Sequence, residues 1–239
     1  MRLTYHIFRF LERRGYYICR SYKRPRNAGN PLQLGFAALL SSGASPVYCV
    51  QIGAADGVSN DPLRPILASQ EGRVKAVLVE PQPGYAASLR ELYQNSNSVE
   101  IFEVAVARES GTLELHLPKD PKDAQKASLN ADQRKKFPTV EFETIPVRAV
   151  TVRELLEGAK FERVDLLQID AEGLDYEILS QFFESGIFPK IIHLEIRHLD
   201  EKTRSALHGD LRRYKYAFLE TEHDSFCWSR AIGSDGRDA

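Results

Sequence analysis

The feature that most constrains the fold is an alternation of short apolar runs with helical patterns from residue 47 onward. The runs are rich in β-branched residues and read VYCVQIG, VKAVLVE, VEIFEVAVA, VDLLQID and IIHLEI. Strands that are apolar on both faces lie between helices, and parallel strands need crossover helices to connect them. The sequence therefore predicts an α/β fold, with a doubly wound and mostly parallel sheet in a single αβα sandwich.

Two further parts of the sequence predict strands outside this alternation. The C-terminal segment YAFLETEHDSFCWS holds two strand-like runs around a polar turn, which predicts an antiparallel hairpin that closes the sheet. The segments GTLELHL and VEFETIPVRAV predict additional strands. The polar, proline-containing stretch 118–138 between them predicts a mobile insertion loop.

The N-terminal segment differs from the rest of the chain in charge. Residues 1–30 contain eight basic side chains and one acidic side chain, a local net charge of +7 in a chain whose formal net charge is -1. Apolar residues recur there at helical spacing, which predicts a short amphipathic helix: Leu3, Ile7, Phe10 and Leu11. We therefore divide the chain into a basic helical appendage, 1–40, and one domain, 41–239. The arginines either stay solvated on a helix packed against the domain, which is the commoner arrangement, or contact an anionic membrane or glycan.

Composition excludes several classes of protein. With 32 basic and 33 acidic residues, the chain has no overall field that would hold a polyanion, so we expect no nucleic-acid partner. Its three cysteines form no CxxC pair, which indicates a reducing compartment and no structural zinc. No apolar stretch approaches the roughly 18 residues of a spanning helix, and the start of the sequence lacks the continuous apolar segment of a secretory signal. We therefore expect a cytoplasmic protein.

In an open parallel sheet, ligands bind beyond the carboxyl ends of the strands, where the strand order reverses. The first apolar run continues there into IGAADGVSNDP, in which Gly53 and Gly57 frame a tight turn and the small Ala54 allows a ligand to approach the backbone. Asp61 and Pro62 predict the N-cap and the first residue of the next helix. The turn lacks the middle glycine of the dinucleotide motif GxGxxG, so alone it is a weak signal.

The second apolar run ends in Glu80, and Pro81 stops the strand immediately afterwards. A carboxylate at this place can accept two hydrogen bonds from the 2′- and 3′-hydroxyls of a ribose. Because the glycine turn lies upstream, Glu80 is predicted to contact a nucleoside. A nicotinamide cofactor and an adenosyl cofactor satisfy this pattern equally well.

Polar residues follow the fourth and fifth apolar runs, at the same predicted edge of the sheet. Asp170 and Glu172 follow the fourth run, and Glu195 and His198 follow the fifth. We expect these four side chains to surround one substrate, with Asp175 as the N-cap of the helix after the fourth run. Alternatively, part of this group belongs to an ion-paired rim. Clustered carboxylates could also hold Mg²⁺ or Ca²⁺, although the sequence alone assigns no metal ligand.

These segments together resemble one known family, the FkbM-type S-adenosylmethionine-dependent methyltransferases. The resemblance covers about 47–200 and is carried by QIGAADG, LVEPQP, TVRELL followed by VDLLQIDAEGLDYEIL, and IIHLE. The chain departs from the family pattern at Gln51, Gln168 and Asp175. The resemblance implies a class I methyltransferase fold with S-adenosyl-L-methionine as the cofactor. The implied reaction is O-methylation of a saccharide or another hydroxylated metabolite.

The resemblance also implies roles for individual residues. The cofactor-binding residues would be Gly53, Ala54 and Gly57 along its methionine and adenosine portions, Glu80 at the ribose, Ala105 and Val106 beside the adenine, and Asp170 at the amino acid end. The general base for a hydroxyl acceptor would be Asp170, Glu195 or His198, and spacing does not choose among them. Selectivity for a small-molecule or glycan acceptor would lie in 118–138 and in the N-terminal appendage.

Two other functions stay open on the residues alone. The glycine turn and Glu80 also suit an NAD(P)-dependent oxidoreductase. The departures at Gln51 and Gln168 also suit a binding module that kept the fold and lost turnover. Nothing in the sequence indicates the oligomeric state.

Overall fold

The computed structural model describes residues 31–59, 61–70, 72–120, 127–129 and 137–229. These ranges contain six helices: α1 (Pro31–Ser41), α2 (Arg64–Ser69), α3 (Pro83–Leu92), α4 (Val152–Ala159), α5 (Asp175–Glu184) and α6 (Glu201–Arg213). The same ranges contain ten strands: β1 (Val47–Ile52), β2 (Val74–Val79), β3 (Val99–Phe102), β4 (Ala105–Val106), β5 (Gly111–Pro118), β6 (Phe142–Val150), β7 (Leu166–Ile169), β8 (Ile191–Glu195), β9 (Tyr216–Glu220) and β10 (Asp224–Ser229). None of these six helices is long and apolar enough to cross a bilayer.

Seven strands form the main sheet, in the order β3-β2-β1-β7-β8-β10-β9. Neighbouring strands are parallel from β3 to β8, whereas β10 is antiparallel to both β8 and β9. This arrangement confirms the predicted doubly wound, mostly parallel sheet and its C-terminal antiparallel hairpin. The chain order reverses at β1, which has β2 on one side and β7 on the other, so a crevice is expected at their carboxyl ends.

Alternating residues of the central strands supply two separate cores, one on each face of the sheet. Val50 and Leu167 pack with helices α4, α5 and α6, while Cys49 and Leu166 pack on the opposite face with α1, α2 and α3. All four side chains are fully buried. Because side chains in a strand alternate between faces, strands that are mainly apolar on both faces need helices on both sides. The αβα sandwich follows from the composition of these strands.

Helix α1 is part of the sandwich. Leu32, Phe36 and Leu39 are buried and pack in the same core as Ile191 of β8. Their spacing places an apolar stripe along one side of the helix. Residues 31–40, the described part of the predicted appendage, therefore pack against the sheet. Residues 1–30, with the predicted amphipathic helix, lie outside the described residues, so their role and the domain boundary stay predictions.

A second sheet has three strands, in the order β4-β6-β5. The predicted additional strands form the antiparallel pair β5 and β6, and β4 joins β6 in parallel, with Ala105 opposite Ala149. The apolar run VEIFEVAVA therefore forms two strands, β3 in the main sheet and β4 in the second sheet. Pairing partners far along the chain decide this division, because the run has the same β-forming character throughout.

Part of the predicted insertion loop 118–138 is held against the second sheet. Ser128 exchanges two backbone hydrogen bonds with His116 of β5, at 3.0 and 3.1 Å. Ala127 and Ser128 are both buried. The predicted mobility concerns 121–126 and 130–136, which lie outside the described residues and leave that prediction as it stands.

Candidate functional site

The turn after β1 requires glycine at position 53. Gly53 has a φ of +78°, and a Cβ added there would lie 1.8 Å from the carbonyl oxygen of Asp170 at the end of β7. The amides of Gly53 and Ala54 both donate to the carbonyl of Val79 at the end of β2, at 3.0 and 3.1 Å. The turn therefore brings the carboxyl ends of β1, β2 and β7 into direct contact.

A cavity of about 260 Å³ lies at these three strand ends. It is lined by six of the residues for which the sequence resemblance implies contact with a cofactor: Gly53, Ala54, Glu80, Ala105, Val106 and Asp170. Ala105 and Val106 form β4, so the second sheet supplies one wall of a cavity whose floor is the main sheet. The crevice expected at the reversal of strand order is therefore present.

Gly57, the second glycine of the turn, is not among the described residues that line this cavity. Its φ is +67°, and a Cβ added there would lie 2.6 Å from Cδ2 of Leu89 in α3. Glycine at this position therefore lets α3 pack closely against the turn. The implied contact of Gly57 with a cofactor stays a prediction.

Glu80 lines the cavity directly after β2 and is only 4% exposed. Its Oε2 accepts a hydrogen bond from the amide of Ala55 at 2.8 Å, and its Oε1 accepts one from the amide of Gln82 at 2.9 Å. Burial raises the pKa of Glu80 to about 7 despite these two donors, and the charge of Asp170 adds to the rise. Each oxygen keeps a lone pair for another donor, so this fixed carboxylate can bind a diol.

Unlike the Glu80 oxygens, three buried side-chain oxygens of cavity-lining residues have no hydrogen-bond partner in the described part of the chain. They are Gln51 Oε1, Asp61 Oδ2 and Gln168 Oε1. Gln51 and Gln168 lie opposite each other on β1 and β7, and the Gln51 amide donates to Asp61 Oδ1 at 3.1 Å. Burial raises the pKa of Asp61 above its ordinary value. An unsatisfied buried acceptor costs about 1–3 kcal/mol. The three oxygens therefore indicate a ligand that donates hydrogen bonds.

Asp61 and Pro62 do not have the predicted positions in the next helix. Helix α2 begins at Arg64, so neither residue is its N-cap or its first residue. Asp61 Oδ1 nevertheless accepts hydrogen bonds from the amides of Leu63 at 2.8 Å and Arg64 at 3.3 Å. The carboxylate thus caps the turn that leads into α2 and, through its contact with Gln51, ties that turn to the cavity.

The insertion between β5 and β6 forms a further wall of the cavity. Leu115 of β5 and residues 127–129 line it. The paired backbone groups of His116 and Ser128 hold these residues in place. Sequence reasoning predicted a selectivity loop here, but it missed these particular residues, because no local pattern indicates which part of a polar loop returns to the sheet.

Asp170 lines the cavity at the end of β7. Burial, followed by the charges of Asp175 and Asp224, raises the pKa of Asp170 to about 6. Asp175 is fully buried, and its carboxylate accepts hydrogen bonds from the amides of Ala171 and Gly173 at 3.1 and 3.0 Å. Asp175 is therefore the first residue of α5 and not its predicted N-cap. Its side chain fixes the loop that follows Asp170.

The remaining predicted residues of this edge form a group beside the cavity. His198 Nε2 lies 3.3 Å from Glu172 Oε2 and 3.4 Å from Glu195 Oε2. Burial raises the pKa of Glu195 to about 8, and the charges of four neighbouring carboxylates add to the rise. The four carboxylates belong to Asp170, Glu172, Asp175 and Asp224. Glu172 lines the cavity, whereas Glu195 and His198 are not among the described residues that do. The predicted acids thus form two adjacent groups.

Several solved methyltransferase structures resemble this chain at low identity. The delta-N METTL16 methyltransferase domain is 11% identical with a TM-score of 0.43, and the alignment covers 94% of each chain. The O-methyltransferase TomG from Streptomyces achromogenes, solved with S-adenosylmethionine, is 11% identical with a TM-score of 0.44, over 83% of this chain and 79% of TomG. Aeropyrum pernix fibrillarin with natively bound S-adenosylmethionine is 11% identical with a TM-score of 0.44, over 81% of this chain and 73% of fibrillarin. Similarities this weak carry no argument about the site.

Sequence comparison gives the stronger result. None of the curated proteins compared with this sequence matches it. The model of the methyltransferase FkbM domain, in contrast, matches residues 51–220, well over half of the chain. The matched region contains the turn at Gly53, Glu80 and the cluster around His198. The chain therefore belongs to the FkbM methyltransferase family, as the sequence resemblance indicated, and is a methyltransferase.

Proposed function

We propose that the cavity binds S-adenosyl-L-methionine and that the enzyme transfers its methyl group to a hydroxyl oxygen of a saccharide or another hydroxylated metabolite. The observation that carries the proposal is Glu80, a buried carboxylate fixed by two backbone amides at the reversal of strand order. The family match favours this reading of Glu80 over the nicotinamide alternative.

The cavity's own residues fit such a cofactor. Glu80 would accept hydrogen bonds from the ribose hydroxyls, with one free lone pair on each oxygen. Gln51, Asp61 and Gln168 offer buried oxygens that need donors, and the amino groups of an adenosyl amino acid supply them. Ala105 adds a small apolar wall suited to a flat base. Gly53 keeps the backbone clear where any larger side chain would overlap Asp170.

When bound, S-adenosylmethionine would supply a methyl group activated by a positively charged sulfur, which would keep the electrons of the broken C–S bond as a neutral thioether. The protein must align the acceptor, keep water out and take the hydroxyl proton. Of the three candidate bases, Asp170 is the one that lines the cavity, so we assign it the proton. Glu195 and His198 are not among the described residues that line the cavity, so they would influence the acceptor through Glu172, which lines it and lies beside His198.

Calorimetric titration with S-adenosylhomocysteine tests the cofactor assignment. We expect the wild-type chain to bind it and Glu80→Ala to bind at least about tenfold more weakly, because hydrogen bonds to a charged group contribute about 1.5–3 kcal/mol each. Glu100→Ala is the matched control, since Glu100 is exposed on β3 of the same sheet. The assignment fails if wild type does not bind, if NADH binds instead, or if Glu80→Ala binds as tightly as Glu100→Ala.

Single-turnover methyl transfer to a panel of saccharides and other hydroxylated metabolites tests the reaction. We expect a methyl ether as the product, and a rate lower by about 10²- to 10⁴-fold in Asp170→Asn when S-adenosylmethionine is saturating. A product methylated on nitrogen or carbon would reject O-methylation. An undiminished rate in Asp170→Asn would reject the assigned base, and binding of the cofactor without any transfer would support the binding-module alternative.

A further inference from the structure

We propose that Glu172, Glu195 and His198 together bind one Mn²⁺ ion beside the cavity. Glu172 lies in the loop between β7 and α5, Glu195 ends β8, and His198 follows in the loop before α6. Two carboxylate oxygens and one imidazole nitrogen, one from each residue, all lie within 4.8 Å of one another. Three ligands of metal-binding type therefore converge at the ends of two neighbouring strands, β7 and β8.

The separations suit ligands placed around an ion. The imidazole nitrogen of His198 lies 3.3 and 3.4 Å from the two carboxylate oxygens, longer than the roughly 2.7–2.9 Å of charge-assisted hydrogen bonds. With metal–ligand bonds of roughly 2.0–2.4 Å, neighbouring ligands in an octahedron lie roughly 2.8–3.4 Å apart. His208 shows the contrasting arrangement, because its Nε2 lies 2.6 Å from Glu220 Oε1 and Arg204 binds the same carboxylate at 2.9 Å.

The charges around the three side chains also favour a cation. Glu195 Oε2 is buried and has no hydrogen-bond partner in the described part of the chain. Within those same ranges, His198 is the one basic side chain at ion-pair distance from Glu195. Asp170 and Asp224 add further negative charge nearby. Asp224 has the imidazole of His193 at 3.9 Å, whereas the His198 imidazole neutralises at most one charge beside Glu195. A divalent ion compensates the charge at Glu195 better.

The donor set selects the kind of ion. Carboxylate oxygens suit Mg²⁺, Ca²⁺ and Mn²⁺, whereas an imidazole nitrogen shifts the preference toward transition metals. Mn²⁺ accepts both kinds of ligand. The three protein ligands also leave coordination positions for other oxygen atoms.

The role of the ion, unlike its binding, rests on the proposed function. Glu172 both supplies a ligand oxygen and lines the cavity, so the ion would lie at the cavity's edge. Its open positions could take two neighbouring hydroxyl oxygens of a saccharide, which would orient one hydroxyl for methylation. The proton of that hydroxyl still passes to Asp170.

Titration of the full chain with Mn²⁺ alone, followed by the electron paramagnetic resonance signal of the free ion, tests the site. We expect one bound ion per chain and at least about tenfold weaker binding in His198→Ala and in the more conservative Glu172→Gln. His208→Ala is the matched control, because it removes a histidine that also contacts a carboxylate. Thermal unfolding of each variant verifies that it is folded.

The outcomes separate the ion from the cofactor. The proposal is overturned if the wild-type chain leaves the free Mn²⁺ signal unchanged, if both folded ligand variants bind Mn²⁺ as tightly as wild type, or if His208→Ala weakens binding equally. Affinity for S-adenosylhomocysteine is measured on the same variants and should stay within a few-fold of wild type. If the two ligand variants lose Mn²⁺ binding and still bind S-adenosylhomocysteine, the ion site is supported. If the wild-type chain binds Mn²⁺ but not S-adenosylhomocysteine, the ion site is supported and its role in methylation is rejected.

Discussion

Binding of S-adenosylhomocysteine should expel a proton from Glu80 at pH 6 and almost none at pH 8. Because burial raises the pKa of Glu80 to about 7, roughly nine-tenths of the carboxyl groups are protonated at pH 6 and roughly one-tenth at pH 8. Ribose hydroxyls that donate to both oxygens favour the ionised form and lower this pKa. We therefore expect release of about 0.9 proton per ligand from Glu80 at pH 6, about 0.1 at pH 8, and roughly tenfold tighter binding at pH 8.

Calorimetry at each pH in two buffers of different ionisation enthalpy counts these protons. Asp170, whose pKa is about 6, can add protons of its own, so the contribution of Glu80 is the difference between wild type and Glu80→Gln. The glutamine keeps the shape of the side chain and cannot ionise. Equal proton counts at pH 6 and pH 8, or release in Glu80→Gln as large as in wild type, would refute the reasoning.

Two further predictions concern the stability of the ligand-free chain. Its unfolding free energy should fall by about 2 kcal/mol between pH 5 and pH 7, since folded Glu80 keeps a proton that the unfolded state loses near the ordinary pKa of 4.5. Denaturant midpoints test this, and an identical pH slope in Glu80→Gln would argue against it. Gly53→Ala should destabilise by several kcal/mol, because left-handed strain adds to overlap with the Asp170 carbonyl. Gly186→Ala is the control, because Gly186 has a φ of +74° but a Cβ added there would have no atom within 4 Å. This variant should lose about 1–2 kcal/mol of unfolding free energy. Equal losses in the two variants would contradict the close approach of β1 to β7.

The sheet and its ligand-binding edge could be predicted because their signals are local. Apart from one glutamine each, strands such as β1 and β7 carry mainly apolar residues on both faces, which only a sheet covered on both faces accommodates. Gly53 and Glu80 directly follow such strands, so their places at the carboxyl edge follow once the strands are parallel. The same reasoning predicted that Asp170, Glu172, Glu195 and His198 would lie near one another.

The remaining features depend on contacts between distant parts of the chain. The close packing of Gly57 against the side chain of Leu89 on α3 is one such contact. The second sheet forms because β4 finds β6 more than forty residues later, and that sheet then places 127–129 against the cavity. Asp175 resembles an N-cap in sequence, but burial directs its carboxylate to the amides of the preceding loop. Local patterns do not encode these choices.

The most direct test of the central claim is a crystal structure of the chain bound to S-adenosylhomocysteine. We expect the thioether in the cavity at the ends of β1, β2 and β7, with its ribose hydroxyls within about 3 Å of the Glu80 oxygens and its adenine beside Ala105 and Val106. A ligand bound outside this cavity, or inside it with the ribose turned away from Glu80, would contradict the claim.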